Sequence, residues 1–145
     1  MARKHAERQI EIAGPPEACF DAITDYVSFP DWQRAVKDVE VLSRDSDGRG
    51  KEVAFEIDAK VKTIHYTLRY SYEPPHRITW DYVDGDVKDD DGEMVLEDQG
   101  DGTTLATYSL ALDPGVWLPG PIQKVLRDQV MKGSVEDMKK RVESA

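Results

Sequence analysis

Between residues 64 and 72 the side chains alternate without a break. Ile64, Tyr66, Leu68, Tyr70 and Tyr72 fall on one side, and His65, Thr67, Arg69 and Ser71 on the other. A helix would scatter these residues around its circumference, so the period of two demands a strand with one apolar, aromatic face. Such a face needs paired strands beside it and a covering layer above it. The rest of the chain supplies both.

Other segments repeat the pattern. Ile10 and Ile12 alternate with Gln9 and Glu11, predicting a first strand over 7–13 that stops at Gly14-Pro15-Pro16. Val39 and Val41 begin a strand that ends in the turn-rich run 45–50. Val53, Phe55 and Ile57 define another; then come Ile78, Trp80 and Tyr82, next Met94 and Leu96, and last Ala106, Tyr108, Leu110 and Leu112. Short turns join neighbours, so the sheet is predicted to be an antiparallel meander. Two short helices lie between the first strand and the rest. One starts at Pro15 or Pro16, where a missing N–H is harmless, and runs to about residue 25. The other falls within 26–35 and carries Phe29, Pro30 and Trp32.

After the Pro/Gly connector 114–121 the periodicity turns helical. A helix of about 24 residues to Ser144 would be ~36 Å long, against a domain diameter near ~38 Å. It is the element long enough to cover the sheet. Ile122, Val125, Leu126 and Val130 share one face of it, while Met131, Val135, Met138 and Val142 share the opposite one. The change at Lys132-Gly133 predicts a bend between 128 and 134. No repeat or linker divides the 145 residues, so the expectation is a single α+β domain over 1–145, with 1–6 frayed.

Charge and cysteine content narrow the function. The formal charge of −10 argues against a surface that neutralises phosphates, and hence against nucleic acid or an anionic membrane as partner. Cys19, the one cysteine, has no disulfide partner and reads as a small core residue on the first helix. No apolar run approaches the length of a signal or membrane segment, so the expected location is the cytoplasm. Asp84, Asp86, Asp89, Asp90, Asp91 and Glu93 form an acidic run, but Lys88 occupies a ligand position of the calcium-loop template. Zinc-type Cys/His spacing, a phosphate-binding Gly-Lys loop and a Gly-x-Ser-x-Gly elbow are all missing. The expectation is no metal and no redox cofactor.

Two motifs follow the first strand: Pro15-Pro16-Glu17-Ala18-Cys19-Phe20, and Asp25-Tyr26-Val27-Ser28-Phe29-Pro30-Asp31-Trp32. With Pro74-Pro75, Gly100-Asp101-Gly102-Thr103 and the Pro/Gly connector, they resemble the START-like helix-grip (SRPBCC) superfamily. Within it, the likeness is to the polyketide cyclase/dehydrase and coenzyme-Q-binding group, over about 7–143. The resemblance implies about seven antiparallel strands curved around the long C-terminal helix, with a cavity for a hydrophobic ligand between them. Members of the superfamily bind lipids, sterols, quinones, plant hormones or polyketides, and a minority catalyse cyclisation or dehydration. Fold alone does not choose among these.

The alternation puts Phe55, Ile57, Tyr66, Leu68, Tyr70, Trp80, Tyr82, Met94, Tyr108 and Leu110 on the covered face. Each buried hydroxyl or indole N–H there needs a partner. A wet or ligand-filled cavity provides partners; a solid core with hydroxyls at its rim is the alternative. Candidate ligand contacts are these residues together with Trp32 at the mouth and Ile122, Leu126 and Gln129 from the long helix. Tyr66, Tyr82, Tyr108 and Gln129 would set specificity. His65 and Arg69 belong to the outer face, with Arg69 expected to pair with a carboxylate. His5 and His76 fall at a terminus and a turn, and Arg34 near the mouth is the one arginine considered for the interior. No catalytic acid or base stands out. Three functions remain: a carrier or sensor of a lipid, quinone or polyketide-like molecule, a polyketide aromatase/cyclase or dehydratase, and an acidic module that meets a basic protein partner.

Overall fold

The alternating segments pair into one seven-stranded antiparallel sheet in the order β1-β7-β6-β5-β4-β3-β2. The computed structural model describes residues 4–58, 62–113 and 133–144, together with 115, 120, 121 and 124. The strands are β1 (Lys4–Ile12), β2 (Val36–Arg44), β3 (Gly50–Asp58), β4 (Thr63–Glu73), β5 (Arg77–Gly85), β6 (Asp89–Asp98) and β7 (Thr104–Asp113). Helix α1 (Pro16–Thr24) and a 3₁₀ turn (Tyr26–Ser28) running into α2 (Phe29–Trp32) separate β1 from β2. The chain is therefore α+β, with a curved open sheet and a C-terminal helix.

Three boundaries differ from the sequence expectation. Strand β1 begins at Lys4, because β7 is long enough to pair with residues expected to be frayed, Lys4 with Leu112 and Ala6 with Leu110. The second helical segment ends at Trp32, and β2 already starts at Val36, paired with Ile57. Strand β6 begins at Asp89, inside the acidic run. Asp90, Gly92, Met94 and Leu96 keep one period-two face there, and the acidic Asp90 and the bare Gly92 on that face hide it in the sequence.

The long helix lies largely outside the described residues, as do Ile122, Leu126 and Gln129 and most of the predicted bend. Its last part shows an irregular winding where the apolar face was read to change. Gly133–Asp137 forms a π turn and passes into α3 (Met138–Glu143). A π turn inserts a residue and rotates the face that follows. Val135 and Met138 are fully buried on that face. Helix α3 packs on α1 and β1. The Glu143 carboxylate accepts the Ala13 N–H at 2.9 Å, and Lys139 donates to the Glu11 carbonyl at 2.8 Å. Both contacts fix the helix end against the start of the sheet's covering layer.

Candidate functional site

Strands β3 to β7 and the segment after α1 enclose a cavity beneath the covered face. It holds about 640 Å³ unoccupied by atoms, its open mouth included.

The wall contains Phe55, Ile57, Tyr66, Leu68, Trp80, Met94 and Tyr108. All seven were nominated from the sequence. Three other nominees stand elsewhere. Leu110 is buried but is not part of the wall. Trp32 packs edge-on against Phe29 and donates its indole N–H to the Ser28 hydroxyl at 2.8 Å. Tyr82, near the edge, donates to the Val87 carbonyl at 2.6 Å. Its hydroxyl is spent on closing the β5–β6 turn. Arg34 also points elsewhere, its guanidinium meeting Asp137 at 2.9 Å with the side chain 62% exposed.

Sequence reading missed the contribution of the helical layer. Ile23, Tyr26, Phe29 and Gln33 line the wall from that layer, joined by Ala35, by Val36 at the start of β2, by Tyr70 and Ile78, and by Asp90 from β6. Asp90 was visible in principle as the fourth member of the period-two set ending at Leu96. Gln33 was not, since it sits in a non-repeating segment where no period applies.

Seven of the wall residues are aromatic. Phe29 stacks on Phe55 with centroids 6.3 Å apart, Phe55 lies 5.8 Å from Tyr66, and Trp80 stacks on Tyr108 at 5.2 Å. Tyr70 bridges the two groups, 4.8 Å from Tyr26 and 6.0 Å from Trp80. Gly92 makes the Trp80 position possible: a Cβ there would lie 2.8 Å from indole Cζ2 and collide with the Ser109 carbonyl. The indole N–H then reaches Asp90 Oδ1 at 3.2 Å, in a fully enclosed hydrogen bond.

The tyrosine hydroxyls divide into two sets. Tyr72 donates to the Gly50 carbonyl at 2.5 Å, so its one proton is committed. The 2.9 Å contact between Tyr26 and Tyr72 hydroxyls must therefore have Tyr26 as donor. Of these residues Tyr26 lines the cavity. Tyr66 and Tyr70 make no hydrogen bond, yet no enclosed side-chain oxygen lacks a partner among the described residues. Their oxygens therefore border open space. Burial pushes the Tyr26, Tyr66 and Tyr70 hydroxyls well above their ordinary 10, and the nearby Asp90 charge adds to the effect on Tyr66 and Tyr70. Burial likewise raises Tyr72, to about 12. At neutral pH all four are proton donors, never phenolates.

The outer face carries the remaining polar candidates. Arg69 pairs with Glu52 at 3.2 Å and Asp81 at 3.8 Å, and exposed His65 lies 3.3 Å from Asp86. His76 is an exposed turn residue whose Nδ1 contacts the Leu96 carbonyl. No group of three or more His, Cys, Asp or Glu suited to a metal occurs among the described residues. None of the described helices is long and apolar enough to cross a membrane.

A curved seven-stranded antiparallel sheet with a C-terminal helix and an aromatic cavity on one face has the START-like arrangement. The family described as polyketide cyclase/dehydrase and lipid transport matches residues 3–143, and the chain belongs to it. No curated protein matches the chain. Solved structures do. A START superfamily protein from Mycobacterium smegmatis is 20% identical, with 97% of each chain covered and a TM-score of 0.84. A protein from Thermus thermophilus is 17% identical, with 97% of this chain and 98% of that one covered and a TM-score of 0.84. The Zhui aromatase/cyclase from a Streptomyces species is 16% identical, covers 98% of this chain and 94% of its own, and scores 0.81. At these identities the likeness is one of fold.

Proposed function

We infer that the protein binds a small hydrophobic molecule in this cavity and serves as a carrier or sensor of it. The cavity residues named above are its contacts. The observation that carries this reading is an aromatic hollow into which the Tyr66 and Tyr70 hydroxyls open without partners of their own. A core built only for stability would pair or exclude such groups. Affinity comes from removing apolar surface from water, ~25 cal/mol per Å² before the costs of binding. The family's description as cyclase/dehydrase and lipid transport supports a ligand of lipid, quinone or polyketide type. Cytoplasmic residence is part of the proposal, resting on the acidic charge and the unpaired Cys19.

Native mass spectrometry of gently purified protein tests this reading. An adduct that disappears on organic extraction supports it; a bare mass, with no uptake from a panel of quinones, fatty acids and aromatic ketones, refutes it.

A second reading is catalytic: cyclisation or dehydration of a polyketide chain. It is favoured by protonated tyrosine hydroxyls and the Asp90 carboxylate meeting at one cavity. Donated hydrogen bonds would polarise a carbonyl, as electrostatic stabilisation requires. Replacing Tyr66 and Tyr108 together by Phe would then cut turnover strongly, whereas in a carrier binding changes only modestly.

A further inference from the structure

We propose that Gln33 is a specificity-determining residue of this cavity, where its side-chain amide and the Tyr66 hydroxyl hold a hydrogen-bonding oxygen of the ligand. The ligand is on this account an oxygenated ring, a phenol or ring ketone, rather than a plain hydrocarbon chain. The inference rests on the ligand-binding reading above and adds the chemistry of what is recognised.

Gln33 is only 6% exposed and lines the cavity, yet its amide makes no hydrogen bond among the described residues. Among the described residues no enclosed side-chain nitrogen or oxygen is left without a partner, so the amide of this cavity-lining residue faces open space. Tyr66, equally buried at 6%, opens on the same space. Two polar groups, each more than nine-tenths buried and each unpartnered, are thus aimed into one apolar hollow.

The backbone around Gln33 is held from both sides, which makes the amide a fixed feature. Its N–H donates to the Phe29 carbonyl at 2.7 Å, and its carbonyl accepts the Val36 N–H at 3.0 Å. The next residue, Arg34, is anchored to buried Asp137 in the π turn through both its backbone N–H and its guanidinium, each at 3.1 Å. Phe29 and Phe55 place this segment beside Tyr66. The amide can donate and accept. The Tyr66 hydroxyl, which burial keeps protonated, donates. A hydroxyl or carbonyl oxygen satisfies both, and a methyl group leaves both stranded.

The test is calorimetric titration with 4-ethylphenol and 4-ethyltoluene, which share a shape and differ by hydroxyl against methyl. The wild-type protein is expected to prefer the phenol by about tenfold or more, the scale of one well-made hydrogen bond in a dry site. Gln33→Met, close in volume, should cut that preference at least several-fold through weaker binding of the phenol. Its ligand-free melting midpoint should rise by about 2–4 °C, because two unpaired polar atoms are gone. Tyr66→Phe repeats the test should the first variant misfold. Equal binding of the two probes to wild type, or a preference that survives both substitutions, overturns the role of Gln33 and leaves the cavity reading standing. A lowered midpoint in Gln33→Met also overturns it, since the amide would then have a structural partner. Failure of both probes to bind wild type overturns the ligand-binding reading itself, and this inference with it.

Discussion

Alkaline pH should unfold this protein in one cooperative step, and the tyrosine wall sets where. Tyr26 and Tyr66 are nearly inaccessible, at 3% and 6% exposure, and Tyr70 is half-buried against them. Burial raises all three above 10, and Tyr72 to about 12. Their unfolded counterparts ionise near 10. Between those values the native state holds more protons than the unfolded one, so stability is intact below pH 10 and falls as pH rises. Each retained proton contributes a slope of about −1.36 kcal/mol per pH unit, and four give about −5 kcal/mol per unit. A domain stable by ~5–15 kcal/mol is then exhausted within one to three pH units above 10. Tyrosinate absorbance and near-ultraviolet circular dichroism, followed together from pH 9 upward, measure this. The expected result is a sharp rise in tyrosinate coincident with loss of the dichroism. Gradual ionisation of four or more of the six tyrosines near pH 10, with native dichroism retained, would refute the reasoning.

Other perturbations probe separate links. Gly92→Ala should cost about 2 kcal/mol or more in urea unfolding, since its Cβ would lie 2.8 Å from the Trp80 ring and against the Ser109 carbonyl. An unchanged midpoint would mean that Trp80 does not rest on Gly92. Asp137→Ala should lower stability by about 1–3 kcal/mol, because buried Asp137 accepts both the Arg34 N–H and its guanidinium; chemical denaturation of the variant checks it. Lys139 and the Ala13 N–H hold Glu143 below its ordinary 4.5, so its contribution is present above that pH and lost as pH falls through the lowered value. Glu143→Gln should therefore flatten the acid limb of the stability curve, with midpoints compared from pH 3 to 6.

Much of the fold was legible because the covered face of a sheet writes itself as a period of two. The stretch from Ile64 to Tyr72 fixed β4, and the wall residues of β3, β5 and β7 followed from the same rule. Strand β6 was half hidden: Asp90 and Gly92 occupy inward positions where the rule expects apolar side chains, one to meet the Trp80 N–H and the other to admit its ring. The sequence reads a change of apolar face at Lys132-Gly133, whose earlier face lies outside the described residues; Gly133–Asp137 winds as a π turn, which sequence periodicity does not distinguish from a bend. Gln33 was invisible because the segment after α2 has no period; its burial comes from being clamped between Phe29, Val36 and the Asp137 anchor. Which tyrosines keep a free hydroxyl was equally out of reach. Tyr72 commits its proton to the Gly50 carbonyl at the start of β3, where the β2–β3 register shifts.

A crystal soaked in 4-bromophenol tests the hollow itself. The account predicts an anomalous bromine peak inside the fold, bounded by Phe55, Tyr66, Trp80 and Tyr108. Bromine confined to the surface, with those four side chains closed against one another across the space, would contradict it.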